Sequence, residues 1–325
     1  MIGIDRGRSA TKILWPGGRA EWPPLAELLP GPPPDALVDG AGPLRGAWVA
    51  VRGEWWAVGE AARGGLAQDE RKATRDARAV AAAAAVLAGF RGQVDVALAV
   101  PAGLAAVDAE RLARLVAGYA EVEVLGAGRA ELWVRAHVVP EPAAALLGVV
   151  LAPDGRPDID ALRRTWVVVD LGHRTTDVAV VRGGRVLTAR STTTGGLEAY
   201  EAWLREVELH VGLLTEAERA CIVEAVAAGH LPAVRGTLLS RDWMAALERH
   251  RSALVERVVR DVRNSLAGQA YDRLLMTGGL AEWLGEDLRR EYPWAIFAAD
   301  PRWAVAEGLL RYLAYRTRDR QEVHA

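Results

Sequence analysis

Cysteine is nearly absent from the 325-residue chain, which has Cys221 alone. A single thiol excludes an intramolecular disulfide and suits a reducing compartment. Cys221 falls in a helix-like segment, where a small buried apolar residue is expected rather than a nucleophile. Lysine is almost as scarce: Lys12 and Lys72 are the only two among 40 basic residues, so the retention of Lys12 is informative. Charge of one sign is also lacking. A formal net charge of -2 gives no global attraction to DNA or to an anionic membrane, so no direct nucleic-acid or membrane contact is expected, and any DNA partner needs an adaptor protein. The longest apolar run, residues 79–90, is about a dozen residues and too short to span a bilayer; its alanine content reads as a packed helix. The six histidines, His137, His173, His210, His230, His250 and His324, show no metal-ligand spacing. The residue after Met1 already belongs to a strand, so the expectation is a cytoplasmic chain without a signal peptide.

What is present is ordinary for a globular protein: 51% hydrophobic and 25% charged residues, in a chain long enough for one large domain or two of common size. The most telling stretch is Val167-Val168-Val169-Asp170-Leu171-Gly172-His173-Arg174-Thr175-Thr176-Asp177-Val178. An apolar strand delivers an acid into a glycine turn, hydroxyls follow, and a second strand returns. Ile2-Gly3-Ile4-Asp5-Arg6-Gly7-Arg8-Ser9-Ala10-Thr11-Lys12-Ile13-Leu14 repeats that grammar at the N-terminus. Dense backbone N–H donors with little side-chain bulk suit a polyphosphate, and two such hairpins can grip one nucleotide from opposite sides.

Along the chain, the proline-rich residues 22–34 read as surface loop. Residues 48–51 and 55–58 read as a hairpin about Arg52-Gly53-Glu54. A helix is predicted to begin near Gln68, a buried strand covers 94–100, a helix 108–118, a strand pair 122–139, and a helix opens at Pro140-Glu141-Pro142. The turn cluster 153–158 is the natural domain boundary. Beyond it come a strand at 185–192, an amphipathic helix after Gly195-Gly196, and a capping box at Thr215 and Glu218. A long helix over 241–266, a strand at 274–276 and a last helix over 303–316 complete the chain. The 12 tryptophans read as packing residues rather than base-stacking platforms.

In this order the pieces resemble the actin-like ATPase superfamily. Asp5-x-Gly7-x-x-x-Thr11-Lys12 is similar to its first phosphate motif and Asp170-x-Gly172-x-Arg174-Thr175-Thr176-Asp177 to its second. Pro140-Glu141-Pro142-Ala143-Ala144-Ala145 resembles the first connecting helix, Thr277-Gly278-Gly279-Leu280 the adenosine motif, and Ala304-Val305-Ala306-Glu307-Gly308-Leu309 the second connecting helix. The pattern departs at His173-Arg174, where many relatives have two glycines, and the Arg174-Thr175-Thr176-Asp177 variant resembles that of the branch of ParM/StbA plasmid-segregation proteins and archaeal actin-like proteins.

The resemblance implies an α/β fold of two lobes, each a central mixed sheet flanked by helices, with a nucleotide cleft between them. Lobe I would hold residues 1–157, completed by 304–325, and lobe II residues 158–303. The cofactors implied are ATP, with GTP as the alternative, and Mg²⁺. Asp5 and Asp170, one from each lobe, would orient the hydration shell of Mg²⁺. Lys12 would place its charge on the β- and γ-phosphates, and Glu141 would align or activate the attacking water. Gly7, Arg8, Ser9, Gly172, His173, Arg174 and Thr175 would cradle phosphates, Gly278, Gly279 and Leu280 the sugar and α-phosphate, and Gly195-Gly196 would close a wall of the purine pocket. The function implied is a Mg²⁺-dependent ATPase that polymerises with copies of itself and moves plasmid DNA through an adaptor. A small-molecule kinase of the same fold and a non-motile scaffold like MreB or FtsA are the alternatives. The charged segment Arg316-Thr317-Arg318-Asp319-Arg320 lacks the apolar face of a membrane anchor, and with little sequence after residues 304–310 a chaperone's substrate domain is not expected.

Overall fold

The computed structural model describes residues 1–325 except 8–9, 34–45, 63–65, 68–74, 104–105, 228–229, 231, 236, 239–240 and 324–325. Arg8, Ser9 and the helix start predicted near Gln68 therefore lie outside the described residues. The first sheet contains β1 (Ile2–Arg6), β2 (Thr11–Trp15), β3 (Gly18–Trp22), β4 (Leu25–Leu29), β5 (Gly46–Val51), β6 (Glu54–Gly59), β7 (Leu66–Ala67), β8 (Gly92–Val100), β9 (Gly118–Val124) and β10 (Gly128–Pro140), in the order β3-β2-β1-β8-β10-β9-β5-β6-β4-β7. Two helices, α1 (Asp76–Leu87) and α2 (Ala106–Val116), connect these strands. Next come α3 (Glu141–Val150) and α4 (Ile159–Arg163), followed by β11 (Thr165–Leu171), β12 (Thr176–Arg182) and β13 (Arg185–Thr192). A helical excursion follows, with α5 (Gly196–Val211), α6 (Glu216–Ala227), the short pair β14 (Ala233–Val234) and β15 (Thr237–Leu238), and α7 (Arg241–Leu266). The chain ends with β16 (Arg273–Thr277), α8 (Gly279–Trp283), α9 (Gly285–Glu291), β17 (Ile296–Phe297) and α10 (Ala304–Val323). The second sheet runs β13-β12-β11-β16-β17.

Half of the first sheet, β3-β2-β1-β8-β10, repeats the plan of the second: a three-stranded antiparallel meander, then two parallel neighbours. The doubled hairpin of the sequence is the visible part of this larger doubled unit. Strand alternation distributes each hairpin's residues between two faces. Ile2, Ile4 and Ile13 join the core covered by α1, while Val167, Val169 and Val178 join the core under α7 and α8. The opposite faces of the two sheets share one apolar cluster with α3 and α10, including Ala97, Ala99, Trp166, Val168, Ala179, Leu146 and Leu309. Both helices therefore lie between the sheets.

Small residues make this layering close. In α1, Ala81 to Ala85 are all buried, as a helix apolar on every side must be. Where α3 crosses α10, a Cβ on Gly308 would lie 1.6 Å from the Ala144 carbonyl oxygen, and one on Gly148 would lie 3.1 Å from that of Ala304. A Cβ on Gly3 of β1 would meet the Ala306 carbonyl oxygen at 2.7 Å.

Most predicted elements match, including the hairpin about Arg52-Gly53, whose positive φ values of 53° and 80° are those of a tight two-residue turn. The capping box also forms: the Thr215 amide donates to Glu218 Oε2 at 2.8 Å and the Glu218 amide to Thr215 Oγ1 at 3.3 Å. Three expectations are corrected. Residues 22–34 are not all loop, because β4 fits between Pro24 and Pro30 and pairs with β6 and β7. Cys221 is exposed, on a face of α6 turned away from the core that takes Ile222. The last helix runs past Arg316 to Val323; Arg311 donates to the Gly148 and Leu151 carbonyls at 2.6 and 2.8 Å, anchoring it to α3. Trp22 and Trp203 are buried packing residues, whereas Trp133 and Trp294 are exposed. Among the described residues no helix is long and apolar enough to cross a membrane.

Candidate functional site

The alternation that sends Ile2 and Ile4 to α1 sends Asp5 to the opposite face, between the sheets. The β11 pattern likewise turns Asp170 to the side of Trp166 and Val168. Each acid is the penultimate residue of its strand, two positions before the glycine of the turn. Register adds a partner across each hairpin, since Asp5 is opposite Lys12 and Asp170 opposite Asp177. The Lys12 ammonium lies 3.3 Å from Asp5 Oδ2. Glu141 is the first residue of α3, the helix that lies between the sheets.

Electrostatics shows how closely the groups gather. Burial pushes the Asp170 carboxyl up to about 7, reinforced by the charges of Glu141, Asp177 and Asp5 and opposed by Lys12. Carboxylates from both hairpins and from α3 therefore act on one carboxyl, and among the described residues the Lys12 ammonium offsets them. The charge of Asp5 thus reaches Asp170 from the other sheet. Among the described residues no group of three or more His, Cys, Asp or Glu is arranged to ligate a metal directly.

The glycines are fixed by close approach. Gly278 has φ 91°, and a Cβ there would lie 2.3 Å from Asp170 Oδ1. Its amide donates to the Pro301 carbonyl at 2.9 Å, as the Thr277 hydroxyl does at 3.1 Å. A Cβ on Gly279 would meet nothing within 4 Å, so this side of the crevice is open. Gly195 and Gly196 are placed against the second turn: a Cβ on Gly195 would lie 2.3 Å from the Arg174 carbonyl carbon, and one on Gly196 2.8 Å from Leu280 Cδ2. At the start of α5, the Leu197 amide donates to the His173 carbonyl at 2.7 Å and that of Gly196 to Gly172 at 3.4 Å. These two bonds hold the turn of residues 172–175 against the start of α5. Within that turn the Gly172 amide donates to the Thr175 carbonyl at 2.8 Å, and the Thr175 hydroxyl to Asp177 Oδ2 at 2.9 Å. Burial, and then the charge of Arg174, lowers the His173 pKa against a smaller opposing effect of Glu201, so the imidazole is neutral near pH 7. A Cβ on Gly7 would lie 2.8 Å from the Ala10 carbonyl and 3.9 Å from Lys12 Nζ.

Two residues here are not singled out by reading the sequence. Asp177 faces Asp170, and the signal for it is the equal spacing from Asp5 to Lys12 and from Asp170 to Asp177. Arg6 points away from the crevice and pairs with Asp76 of α1 at 2.5 Å, both side chains nearly buried. This pair fastens the end of β1 to α1, so Asp5 projects from a fixed strand.

No protein-family model matches the chain, and no curated protein matches it in sequence. Solved structures match it over nearly its whole length. An archaeal actin homologue, Ta0583, superposes with a TM-score of 0.76 at 19% identity, covering 97% of this chain and 99% of its own; it is also known in complex with ADP. The ParM of a 15-stranded filament from Clostridium botulinum matches with a TM-score of 0.71 at 14% identity, over 96% of this chain and 97% of its own. A Bacillus thuringiensis ParM with ATP matches with a TM-score of 0.68 at 14% identity, over 99% of each chain. The fold is thus the actin-like one, two mixed sheets with helices between and outside them. The form it takes is the one seen in ParM and archaeal actin homologues.

Proposed function

We propose that this chain binds and hydrolyses ATP in the crevice between its two hairpins and assembles with copies of itself into nucleotide-dependent filaments that move plasmid or other DNA through an adaptor protein. The observation that carries this reading is the convergence of Asp5, Lys12, Glu141, Asp170 and Asp177 at the mouth of two glycine turns. Support for the nucleotide comes from neighbours of the same fold that hold ADP and ATP, and support for self-assembly from the neighbour that forms a filament. The proposed lobes are residues 1–157 with 304–325, and residues 158–303.

Among the described residues, four carboxyl groups about one ammonium fit a hydrated divalent cation, and Asp5 and Asp170 would hold Mg²⁺ through its waters. When bound, the ion would neutralise charge on the phosphates. Lys12 sets a positive charge opposite the β- and γ-phosphates, and the glycine turns hold the chain of phosphates against their backbone. Glu141 accepts a proton from the water whose oxygen attacks the γ-phosphorus. The bond to the β–γ bridging oxygen then breaks, and ADP leaves with that electron pair.

In a sedimentation assay with Mg²⁺, the native chain is expected to pellet on addition of ATP and to release phosphate. Glu141→Ala is expected to bind ATP and pellet, with hydrolysis reduced by roughly 10²- to 10⁴-fold, the usual contribution of a positioned general base. Unchanged turnover would remove Glu141 from this role. A chain that never pellets but phosphorylates an added sugar would replace the filament reading with that of a kinase.

A further inference from the structure

We infer that the concave surface between the β5–β6 turn and the start of α1 is a second anion site, built to hold a phosphoryl group on Arg52, Arg75 and Arg78. It lies on the outer part of the first sheet and uses none of the residues of the crevice. The cleft has a volume of about 320 Å³ and is lined by Arg52, Glu54, Arg75, Arg78 and Leu115.

Three guanidinium groups converge there, and neutral acceptors hold two of them in place. Arg52 donates to the carbonyls of Ala117 and Tyr119 at 3.1 and 3.3 Å, and Arg78 Nε to the Leu115 carbonyl at 2.5 Å. A carbonyl orients a guanidinium without cancelling its charge. Among the described residues the only carboxylate lining the cleft is Glu54, 3.8 Å from Arg75. Asp76, the nearest acid along the chain, is turned the other way and is paired with Arg6. Among the described lining residues, three positive charges against one negative leave a surplus of two, which matches a phosphate dianion. Arginine's planar fork of N–H donors fits phosphate oxygens in pairs.

The backbone also favours this arrangement. Arg52 has φ 53°, a left-handed conformation that disfavours a non-glycine residue, and it is the arginine that reaches across the cleft. Opposite it, Gly118 at φ 100° leaves room where a Cβ would lie 3.2 Å from Arg52 Nη2. Burial, then the charge of Arg52, lowers the Arg78 pKa, and Arg75 adds to this against the pull of Glu54. An anion between the three would relieve that repulsion.

The test is calorimetric titration of the full chain with inorganic phosphate and with pyrophosphate at constant ionic strength. The variants are Lys12→Ala, Arg75→Gln, and Arg75→Gln with Arg78→Gln. Phosphate binding should survive Lys12→Ala, which separates this site from the proposed nucleotide crevice. It should weaken about ten-fold for each guanidinium removed, the usual effect of a charge-assisted hydrogen bond. Acetate should not compete. Phosphate displacing pyrophosphate assigns a single phosphoryl group, while pyrophosphate bound without phosphate assigns a diphosphate-bearing ligand. Loss of all binding in Lys12→Ala, or unchanged binding in the double variant, overturns the inference. Arg75 has 75% of its side chain exposed, so Arg75→Gln alone keeps the test open if the double variant misfolds.

Discussion

Asp170→Asn melts at a higher temperature than the native chain at pH 8, and the difference shrinks as the pH falls from 7 toward 4. The sign follows from proton linkage. The folded carboxyl is raised from 3.8 to about 7, so the folded state holds this proton more tightly than the unfolded chain. The resulting stability is fully present below about 4 and is lost as the pH rises through 7. A shift of about three pH units corresponds to a loss on the order of 4 kcal/mol when the group is fully ionised, which asparagine removes. With saturating ATP and Mg²⁺ the order reverses, because the native chain gains a counter-charge and the variant has no carboxylate to use it. Glu141→Gln should move the same transition to lower pH, since Glu141 is the strongest of the repelling charges. Melting curves from pH 4 to 9, with and without the nucleotide and metal, read all of this. Parallel profiles for native and Asp170→Asn chains would dissolve the charge cluster.

Gly308→Ala is expected to lose about 3 kcal/mol or more in urea denaturation, although alanine is favoured over glycine within a helix by about 1 kcal/mol. The new methyl would begin 1.6 Å from the Ala144 carbonyl oxygen, so backbone must move, and overpacking of that kind exceeds the propensity gain. Gly148→Ala is the control, since its nearest contact is 3.1 Å and its loss should be small. Equal stability of the two variants would mean that the crossing is looser than described. The change should also reach the site. Helix α3 carries Glu141 and α10 packs on β1, so spreading the helices moves Glu141 away from Asp5 and slows ATP turnover.

The hairpins, α3 and α7 were legible because each carries a local signal: an acid before a glycine turn, a proline at a helix start, or a long amphipathic repeat. The strand order was not, because β5 beside β9 or β8 beside β10 is fixed by contacts between distant residues. β4 escaped notice because flanking prolines masked a five-residue strand. The end of α10 was missed because Arg316 to Arg320 offer no apolar rhythm; Arg320 instead lies 3.9 Å from Asp95. At the site, the acid before each glycine turn drew attention to Asp5 and Asp170, while Lys12 and Glu141 were named through the resemblance to actin-like ATPases. Neither signal could show that the first amides of α5 are taken by carbonyls of the turn at 172–175, since such bonds depend on how a helix seats against a loop.

The doubled unit is symmetric in its backbone but not in its charge. Where the first hairpin sets an ammonium across from its acid, the second sets another acid, Asp177 across from Asp170. Among the described residues the facing charges of the first hairpin cancel and those of the second add, so the two sides of the scaffold differ electrically. Were a nucleotide to bind as proposed, this asymmetry would turn its phosphates toward Lys12 and its cation toward Asp170 before any shape-specific contact forms. Exchanging Lys12 and Asp177 would turn that preference around without altering a single turn of the chain.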